Sequence, residues 1–231
     1  MGIFNREKIK HLWYLGAWFL SMGIFLLCEM LIPAEVCRAV HSPLDDLIPF
    51  CEVFVVFYVA WYFLILGSLL YFALKRCESF REFLIFMTVC QVLAVIIFII
   101  FPNKQDMRPE VLPRDNIFSR IVALIHGVDT NTNVCPSLHV AYSFALVSAW
   151  CKEKITKRIK ALWVVLALLI SASTVFIKQH SIIDFFVALI ICVVAEAVAY
   201  PQFWKERFTK IGKKYEKVII DNKPWIETTT L

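Results

Sequence analysis

Apolar residues along this chain fall into long, nearly uninterrupted runs that alternate with short polar segments. A helix needs ~20 apolar residues to cross the hydrocarbon core of a bilayer, and most of the runs approach that length. One run is shorter and follows a proline-containing polar segment. The pattern predicts an all-α, polytopic membrane protein with six transmembrane helices, at residues 12–32, 50–74, 83–101, 138–151, 161–177 and 182–200.

A further, short helix is predicted between the third and fourth spans. Asn116 can cap its N-terminus, and Ile117, Ile121, Leu124 and Ile125 then recur at helical spacing with polar residues between them. A single apolar face on a short helix is typical of a segment that lies in the membrane interface. We therefore expect a short interfacial helix on the outer side of the membrane.

The composition agrees with a membrane protein. Of the 231 residues, 60% are hydrophobic and 15% aromatic, and the mean hydropathy is +0.70, which exceeds what a soluble domain of this size carries. The first apolar run is full length and lacks a small-residue cleavage site, so we expect it to remain as a span. We divide the chain into a transmembrane domain, residues 1–204, and a basic cytoplasmic tail, residues 205–231.

The basic residues indicate the topology. The net charge of +5 is spread over short segments rather than collected in one patch, which argues against nucleic acid as a partner. These segments occur at alternate connections, which the positive-inside rule assigns to the cytoplasm. Both termini are then cytoplasmic, and the connections at residues 33–49, 102–136 and 178–181 face outside. The basic tail is expected to rest on anionic lipid.

The eight cysteines include no C-x-x-C pair and no histidine–cysteine spacing typical of a metal site. We therefore predict no metal and no cofactor. Most of the cysteines lie in apolar runs, where they serve as small hydrophobic residues. Cys37, Cys51 and Cys135 come nearest the outer face, and one disulfide among them is possible.

Three acidic residues near the outer face are not assigned to a site. Glu29 lies close enough to the end of the first span to reach the interface, although ionisable residues in membranes often have a function. Asp45 and Asp46 are predicted to be solvated. The alternative is that they pair with cations on the outer face.

The first candidate for chemistry is the segment Pro136-Ser137-Leu138-His139 at the start of the fourth span. Proline suits the first turn of a helix, so Ser137 and His139 should lie among the free N–H groups of the helix N-terminus. Such an N-terminus readily binds phosphate. The alternative is an ordinary helix start with a serine and a histidine near the membrane surface.

The second candidate is the i, i+4 pair His180 and Asp184 at the start of the sixth span. On a helix, the Asp184 carboxylate can accept a hydrogen bond from one imidazole nitrogen and so fix the tautomer of the other. An aspartate inside an apolar span needs such a partner. The alternative is that the two residues merely satisfy each other at the interface.

Lys104 and Arg108 form a third polar cluster, and the assigned topology places all three clusters on the outer face. Two histidines, one of them oriented by a carboxylate, together with a helix N-terminus and cations, supply what phosphoryl transfer requires. They provide a nucleophile, an acid and stabilisation of the charge on the phosphoryl oxygens. This chemistry requires no metal.

The three clusters resemble the motifs of the type 2 phosphatidic acid phosphatase superfamily, which read Lys-x6-Arg-Pro, Pro-Ser-Gly-His and Ser-Arg-x5-His-x3-Asp. The match covers the predicted spans and all three motifs in order. There are three departures: Phe101 stands in the lysine position, Leu138 replaces the glycine, and Thr174 replaces the arginine. The forms of the second and third motifs are most similar to the branch that contains inositol phosphorylceramide synthase and its bacterial relatives.

The resemblance implies a catalytic role for three residues. His180 would be the nucleophile that forms a phosphohistidine, and Asp184 would orient it. His139 would protonate the departing alcohol and then activate water or an acceptor alcohol.

The resemblance also implies a set of phosphate ligands. Arg108 and Ser137, with the helix N-terminus, would hold the phosphate oxygens. Lys104 and Lys178 are candidates to compensate for the missing motif cations. Lys178 could equally be an interface residue whose ammonium group extends to the membrane surface.

The implied function is that of a metal-independent lipid phosphatase or phosphotransferase, an integral membrane phosphoesterase that acts on a lipid-linked phosphate at the outer face. The short chain without large loops favours a bacterial plasma membrane over the membrane of a eukaryotic organelle. Two alternatives stay open: transfer of a phospho-headgroup to an acceptor hydroxyl by the same residues, and a non-catalytic relative that binds lipid. A transporter is disfavoured because the spans are almost uniformly apolar. The lipid substrate and the oligomeric state are left open.

Overall fold

The computed structural model describes residues 12–221, with side chains through residue 213. This part of the chain is helical apart from loops and two very short strands, which confirms the predicted fold class. Its α-helices are α1 (Trp13–Leu31), α2 (Pro43–Leu47), α3 (Val55–Lys75), α4 (Cys77–Ile100), α5 (Ile117–Val128), α6 (Leu138–Lys152), α7 (Lys157–Phe176), α8 (Ile182–Ala199) and α9 (Pro201–Asp221). Two 3₁₀ turns, Ala34–Val36 and Glu52–Phe54, precede α2 and α3.

Five helical segments of the described chain are long and apolar enough to cross a membrane. They are α1, α4, α7, α8 and Glu52–Lys75, which joins a 3₁₀ turn to α3. Many large apolar side chains on these helices are exposed, as expected for surfaces that face lipid. The predicted fourth span corresponds to α6, which has only 15 residues and rises ~22 Å. The count of six spans therefore stays a prediction.

Helices α4 and α6 form the centre of the helical unit that ends at Ala199. Helix α4 packs against α1, α3, α6 and α8, and α6 packs against α3, α4, α7 and α8. Tyr142 on α6 donates a hydrogen bond to Gln91 on α4 and accepts one from Trp18 on α1 at 3.0 Å. Because a buried polar group is costly without a partner, these bonds favour one alignment of the three helices.

A two-stranded parallel sheet joins two of the predicted outer connections. Strand β1 (Arg38–Ala39) pairs with β2 (Asn103–Lys104). The buried Asn103 carboxamide oxygen accepts hydrogen bonds from the Val134 and Cys135 N–H groups at 2.9 and 2.8 Å, and its nitrogen donates to the Cys135 carbonyl at 2.9 Å. One side chain therefore satisfies backbone groups that the loop before α6 would otherwise bury unpaired.

The predicted short helix is present as α5, and its predicted cap is confirmed. The Asn116 carboxamide oxygen accepts a hydrogen bond from the Ser119 N–H at 2.9 Å. The helix buries Val122 in an apolar cluster with Tyr58 and Ile177. Its location in the membrane interface stays a prediction.

The eight cysteines all lie within residues 12–221, and no disulfide joins any of them. The possible disulfide among Cys37, Cys51 and Cys135 is therefore not formed. This agrees with their use as small packing residues, two of which are buried.

The described residues from Tyr200 to Asp221 belong to a second compact unit. Its helix, α9, begins at Pro201 and so runs across the predicted boundary between the transmembrane domain and the tail. The division at residue 204 stays a prediction.

Candidate active site

His180 and Asp184 form the predicted hydrogen bond. The His180 Nδ1 lies 3.1 Å from a carboxylate oxygen of Asp184, and the same oxygen accepts the Ser181 N–H at 3.0 Å. Helix α8 begins only at Ile182, so His180 lies in the turn before the helix rather than on it. Because a carboxylate accepts hydrogen bonds, this contact places the imidazole proton on Nδ1 and leaves the lone pair on Nε2.

Asp45, on the short helix α2, holds the turn that carries His180. One of its carboxylate oxygens accepts the Ser181 hydroxyl at 2.6 Å, and the other accepts the Ile182 N–H at 2.8 Å. The Ser42 N–H, at 2.8 Å, completes a capping box that turns the carboxylate back toward the start of α2. Asp45 is only 1% exposed, so the prediction that it is solvated is wrong.

Replacement of Asp45 by asparagine should lower kcat about tenfold, because the amide nitrogen cannot accept one of these hydrogen bonds and the His180 turn is then less well positioned. The unfolding temperature should fall by several degrees, as expected when a buried hydrogen-bonded charge is lost. Turnover of a lipid phosphate and thermal unfolding of the purified protein measure both effects. The matched control is Asp46→Asn, because Asp46 is exposed and pairs only with His41 in the described chain. A wild-type rate for Asp45→Asn would show that Asp45 does not position His180.

His139, in the first turn of α6, is held against two aromatic rings of α3. The centre of its ring lies 4.3 Å from the Tyr58 ring and 4.3 Å from the Trp61 ring. The His180 ring is 6.1 Å away. Within the described chain the buried Nε2 of His139 has no hydrogen-bond partner. Since a buried polar atom without a partner is costly, this nitrogen is placed to meet a ligand.

The N-terminus of α6 lies where the sequence predicts it, with one difference. The helix begins at Leu138, and Pro136 precedes the N-cap residue Ser137 instead of lying in the first helical turn. The Ser137 hydroxyl oxygen accepts the Val140 N–H at 3.4 Å, and the Ser137 N–H donates to the Asp184 carbonyl at 3.3 Å. The second bond joins the two histidine-containing segments directly.

The two histidines line one cavity of about 210 Å³. Trp61, Tyr62 and Leu138 supply part of its apolar wall. This volume suits a small polar headgroup, whereas the acyl chains of a lipid would have to lie outside it. The polar side chains of the wall, apart from the histidines and tyrosines, are Glu29, Asp129, Thr130, Thr132, Asn133 and Gln179.

Arg108 does not line this cavity. Its guanidinium holds the loop that follows α5 by donating hydrogen bonds to the backbone carbonyls of His126, Asp129 and Thr130 at 3.0, 3.0 and 2.8 Å. Burial and the positive charge of Arg108 lower the pKa of His126, whose ring donates to the Ile177 carbonyl at 2.9 Å. Arg108 therefore positions the part of the cavity wall that contains Asp129.

The two candidate lysines also lie outside the cavity wall. Lys104 pairs with Asp106 at 3.2 Å. Lys178, which has a positive φ of 60°, donates to the Asp45 and Ile48 carbonyls at 2.8 and 2.6 Å. The structure thus brings the three candidate catalytic residues together and leaves the three predicted cations outside the cavity.

Six polar residues of the wall were not assigned from the sequence: Glu29, Asp129, Thr130, Thr132, Asn133 and Gln179. Glu29 carries a weak signal as an ionisable residue near the end of a span. Gln179 is marked only by its position before His180. Asp129 and Asn133 lie in a polar loop without periodicity, and Asn133 adopts a positive φ of 53°, which asparagine tolerates better than most residues.

Cys135 lies beside the catalytic candidates. Burial and the neighbouring Asp184 carboxylate raise the pKa of the Cys135 thiol, so the thiol stays protonated at neutral pH. Within residues 12–221 no three His, Cys, Asp or Glu side chains are arranged to hold a metal ion. The imidazole and carboxylate groups of the cavity wall are His139, His180, Glu29 and Asp129.

The fold and the site define a class of helical membrane protein in which a buried His–His–Asp set opens onto a small cavity. The sequence matches the PAP2 superfamily over residues 83–208, more than half of the chain, and the protein belongs to this superfamily. The resemblance expected from the three motifs is thereby confirmed. The closer relation to the inositol phosphorylceramide synthase-like branch stays a prediction.

Among solved structures, the chain is similar to the crystal structure of LpxE from Aquifex aeolicus. The two share 18% sequence identity with a TM-score of 0.48, over 71% of this chain and 90% of the LpxE chain. No curated protein matches the sequence significantly. The superfamily match begins within α4, so helices α1 to α3 lie outside it.

Proposed function

We propose that the protein is an integral membrane phosphoesterase that cleaves a lipid-linked phosphate through a phosphohistidine intermediate. The observation that carries this proposal is the meeting of His139 and His180 at one small cavity, with Asp184 hydrogen-bonded to Nδ1 of His180. Membership of the PAP2 superfamily supports it.

In the first step, Nε2 of His180 attacks the phosphorus atom and the bond from phosphorus to the leaving alcohol oxygen breaks. The Asp184 carboxylate stabilises the positive charge that develops on the imidazole, as it does in other carboxylate-oriented histidines. His139, in its protonated form, gives its proton to the alcohol oxygen as that oxygen leaves. The products of this step are the free alcohol, neutral His139 and phosphorylated His180.

In the second step, His139 acts as a base and takes a proton from water, whose oxygen attacks the phosphorus atom. The bond from phosphorus to Nε2 of His180 breaks, and phosphate is released from a monoester or the phosphorylated headgroup from a diester. An acceptor alcohol in place of water would give headgroup transfer with the same proton movements. Both reactions therefore use the same three residues.

The phosphate oxygens need donors in the cavity, and two sets are available to this mechanism. The first set is the N–H groups of Leu138 and His139, which have no partners within α6 because they lie in its first turn. Asn133 is 5% exposed, and neither polar atom of its side chain has a partner in the described chain, so its NH₂ group is free to donate. We assign the phosphate to this corner. Ser137 is fully buried and does not line the cavity, and its part is to cap α6.

The predicted cations have a less direct part in this proposal. Lys104, Arg108 and Lys178 make their hydrogen bonds and ion pairs within the loops around the cavity. They supply positive charge to the surroundings of the site, which attracts anionic headgroups at a distance. The distribution of basic connections supports an active site on the outer face of the membrane.

The proposal is tested by incubating the purified protein with a panel of lipid phosphates and measuring released phosphate and transferred headgroup separately. We expect turnover that is unchanged by a chelator and inhibited by vanadate, which mimics the five-coordinate phosphoryl group. A strict requirement for a divalent metal would contradict the histidine mechanism and indicate a metal-assisted one. Absence of turnover with every lipid, in protein that unfolds cooperatively, would favour the non-catalytic lipid-binding alternative.

A further inference from the structure

The cavity has an acidic wall in addition to its histidines. Glu29, near the end of α1, and Asp129, in the loop after α5, line the same cavity as His139 and His180. Among the side chains that the structure describes, no lysine or arginine lines it. These two carboxylates would repel a phosphate group, and a positive charge on the rest of the ligand would offset that repulsion.

Within the described chain, the two carboxylates accept hydrogen bonds from neutral donors of the wall and of α3. Glu29 accepts the Thr130 hydroxyl at 2.8 Å. Asp129 accepts the Tyr58 hydroxyl at 3.1 Å and the Gln179 carboxamide nitrogen at 2.7 Å. Neutral donors orient a carboxylate and leave its charge in place. The negative charge of Glu29 is therefore available to a ligand.

The charge of Asp129 is partly offset from outside the cavity. The Arg108 guanidinium binds the Asp129 backbone carbonyl at 3.0 Å, and the Asp129 carboxylate acts electrostatically on the guanidinium. This contact makes Glu29 the stronger of the two anionic anchors.

Gln179 provides an independent sign of a ligand at this wall. Its nitrogen is fixed by the bond to the Asp129 carboxylate, because a carboxylate can only accept. The carboxamide oxygen is then an acceptor, and within the described chain it is buried without a partner. Gln179 is 2% exposed and lines the cavity. A donor from a bound ligand would satisfy this oxygen.

We infer that the wall formed by Glu29, Asp129 and Gln179 binds a primary ammonium group on the headgroup of the substrate. This inference rests on the proposed function, because it places the phosphoester of that headgroup at His180 and its ammonium group at the acidic wall. An ammonium carries N–H donors for the Gln179 oxygen and positive charge for Glu29. Trp61 and Tyr62, which also line the cavity, can add cation–π attraction. The substrate class is therefore a phosphoester with an aminoalkyl headgroup.

The test measures binding, so that it does not depend on turnover. Protein purified in a detergent without added lipid is titrated, with a chelator present, with phosphoethanolamine and with glycerol phosphate. A second pair of ligands, lysophosphatidylethanolamine and lysophosphatidylglycerol, presents the same headgroups on a lipid. We expect the amine to bind about tenfold more tightly than the glycerol compound in at least one pair, the ratio that one charge-assisted hydrogen bond provides. If only the lipid pair shows the preference, the ligand is the headgroup of a lipid. If the soluble pair also shows it, the free phosphoester is sufficient for binding.

Two variants decide whether the wall is responsible. Glu29→Gln and Asp129→Asn keep the shapes of the side chains and remove their charges, and we expect each to reduce the preference for the amine severalfold. Glu35→Gln is the control, because Glu35 is an exposed carboxylate outside the cavity. Equal binding of both headgroups to the wild type, or a preference that both variants retain, would overturn the inference. If the wild type prefers the amine but turns over no lipid phosphate, that result would instead contradict the proposed function.

Discussion

Replacement of His180 by asparagine should lower kcat for a lipid phosphate by about 10⁴-fold or more, the scale on which enzymes lose activity when a nucleophile is removed. Asparagine can still donate a hydrogen bond toward Asp184, so the local structure should survive. It has no nitrogen lone pair that can attack phosphorus. Release of phosphate from the purified variant, followed over a long incubation, measures the loss.

The control is His41→Asn, because His41 is an exposed histidine that pairs with Asp46 and lies outside the cavity. It should retain the wild-type rate. Brief reaction of the wild type with a phosphate-labelled substrate should also leave label on His180 that is lost in acid and kept in alkali, as expected for a phosphoramidate. Full activity of His180→Asn would rule out His180 as the nucleophile.

Replacement of His139 by asparagine should have an effect that depends on the leaving group. With an alkyl phosphate, whose alcohol must be protonated as it leaves, kcat should fall about 10³-fold. With p-nitrophenyl phosphate, whose leaving group is stable as an anion, the formation of the phosphohistidine should slow far less. Single-turnover kinetics with both substrates, which isolate the first step, provide the measurement.

The two substrates serve as each other's control, because a structural defect at His139 would slow both to a similar extent. An equal loss with both would assign His139 a role in positioning rather than in proton transfer. His139 is packed against Tyr58 and Trp61, so the unfolding temperature of the variant should be recorded alongside the rates.

The sequence predicted the long helices and the contact between His180 and Asp184, because both follow from local patterns. Apolar runs of membrane length give the long helices almost regardless of tertiary context. The spacing between His180 and Asp184 is close enough that the chain itself brings the two side chains together. Asn116 caps α5 for the same reason, since a cap depends only on residues in the following turn.

The sequence did not predict the surroundings of these residues, which depend on contacts between distant segments. The sequence predicts that Asp45 is a solvated loop residue. In the structure a capping box turns its side chain inward, and it accepts hydrogen bonds from Ser181 and Ile182, more than 130 positions away. Arg108 matches a motif cation by sequence, but in the structure its guanidinium binds the loop after α5. A motif fixes the residue type at a position, whereas the direction of a long side chain depends on which acceptors the fold places nearby.

The location of Glu29, Asp45, Tyr58 and Trp61 has a consequence for engineering this protein. These residues precede position 83, where the superfamily match begins, whereas His139, His180 and Asp184 all follow it. Part of the cavity wall, with Glu29 and Trp61, is therefore separate along the chain from the candidate catalytic residues, whereas the part with Asp129 and Gln179 lies in the same segment as those residues. A chimera that takes only α1 from another member of the superfamily would keep Asp45 and the three candidate catalytic residues and would lose Glu29. It should keep the reaction and change the choice of headgroup, which would make this protein a scaffold for exchanging substrate selectivity in one step.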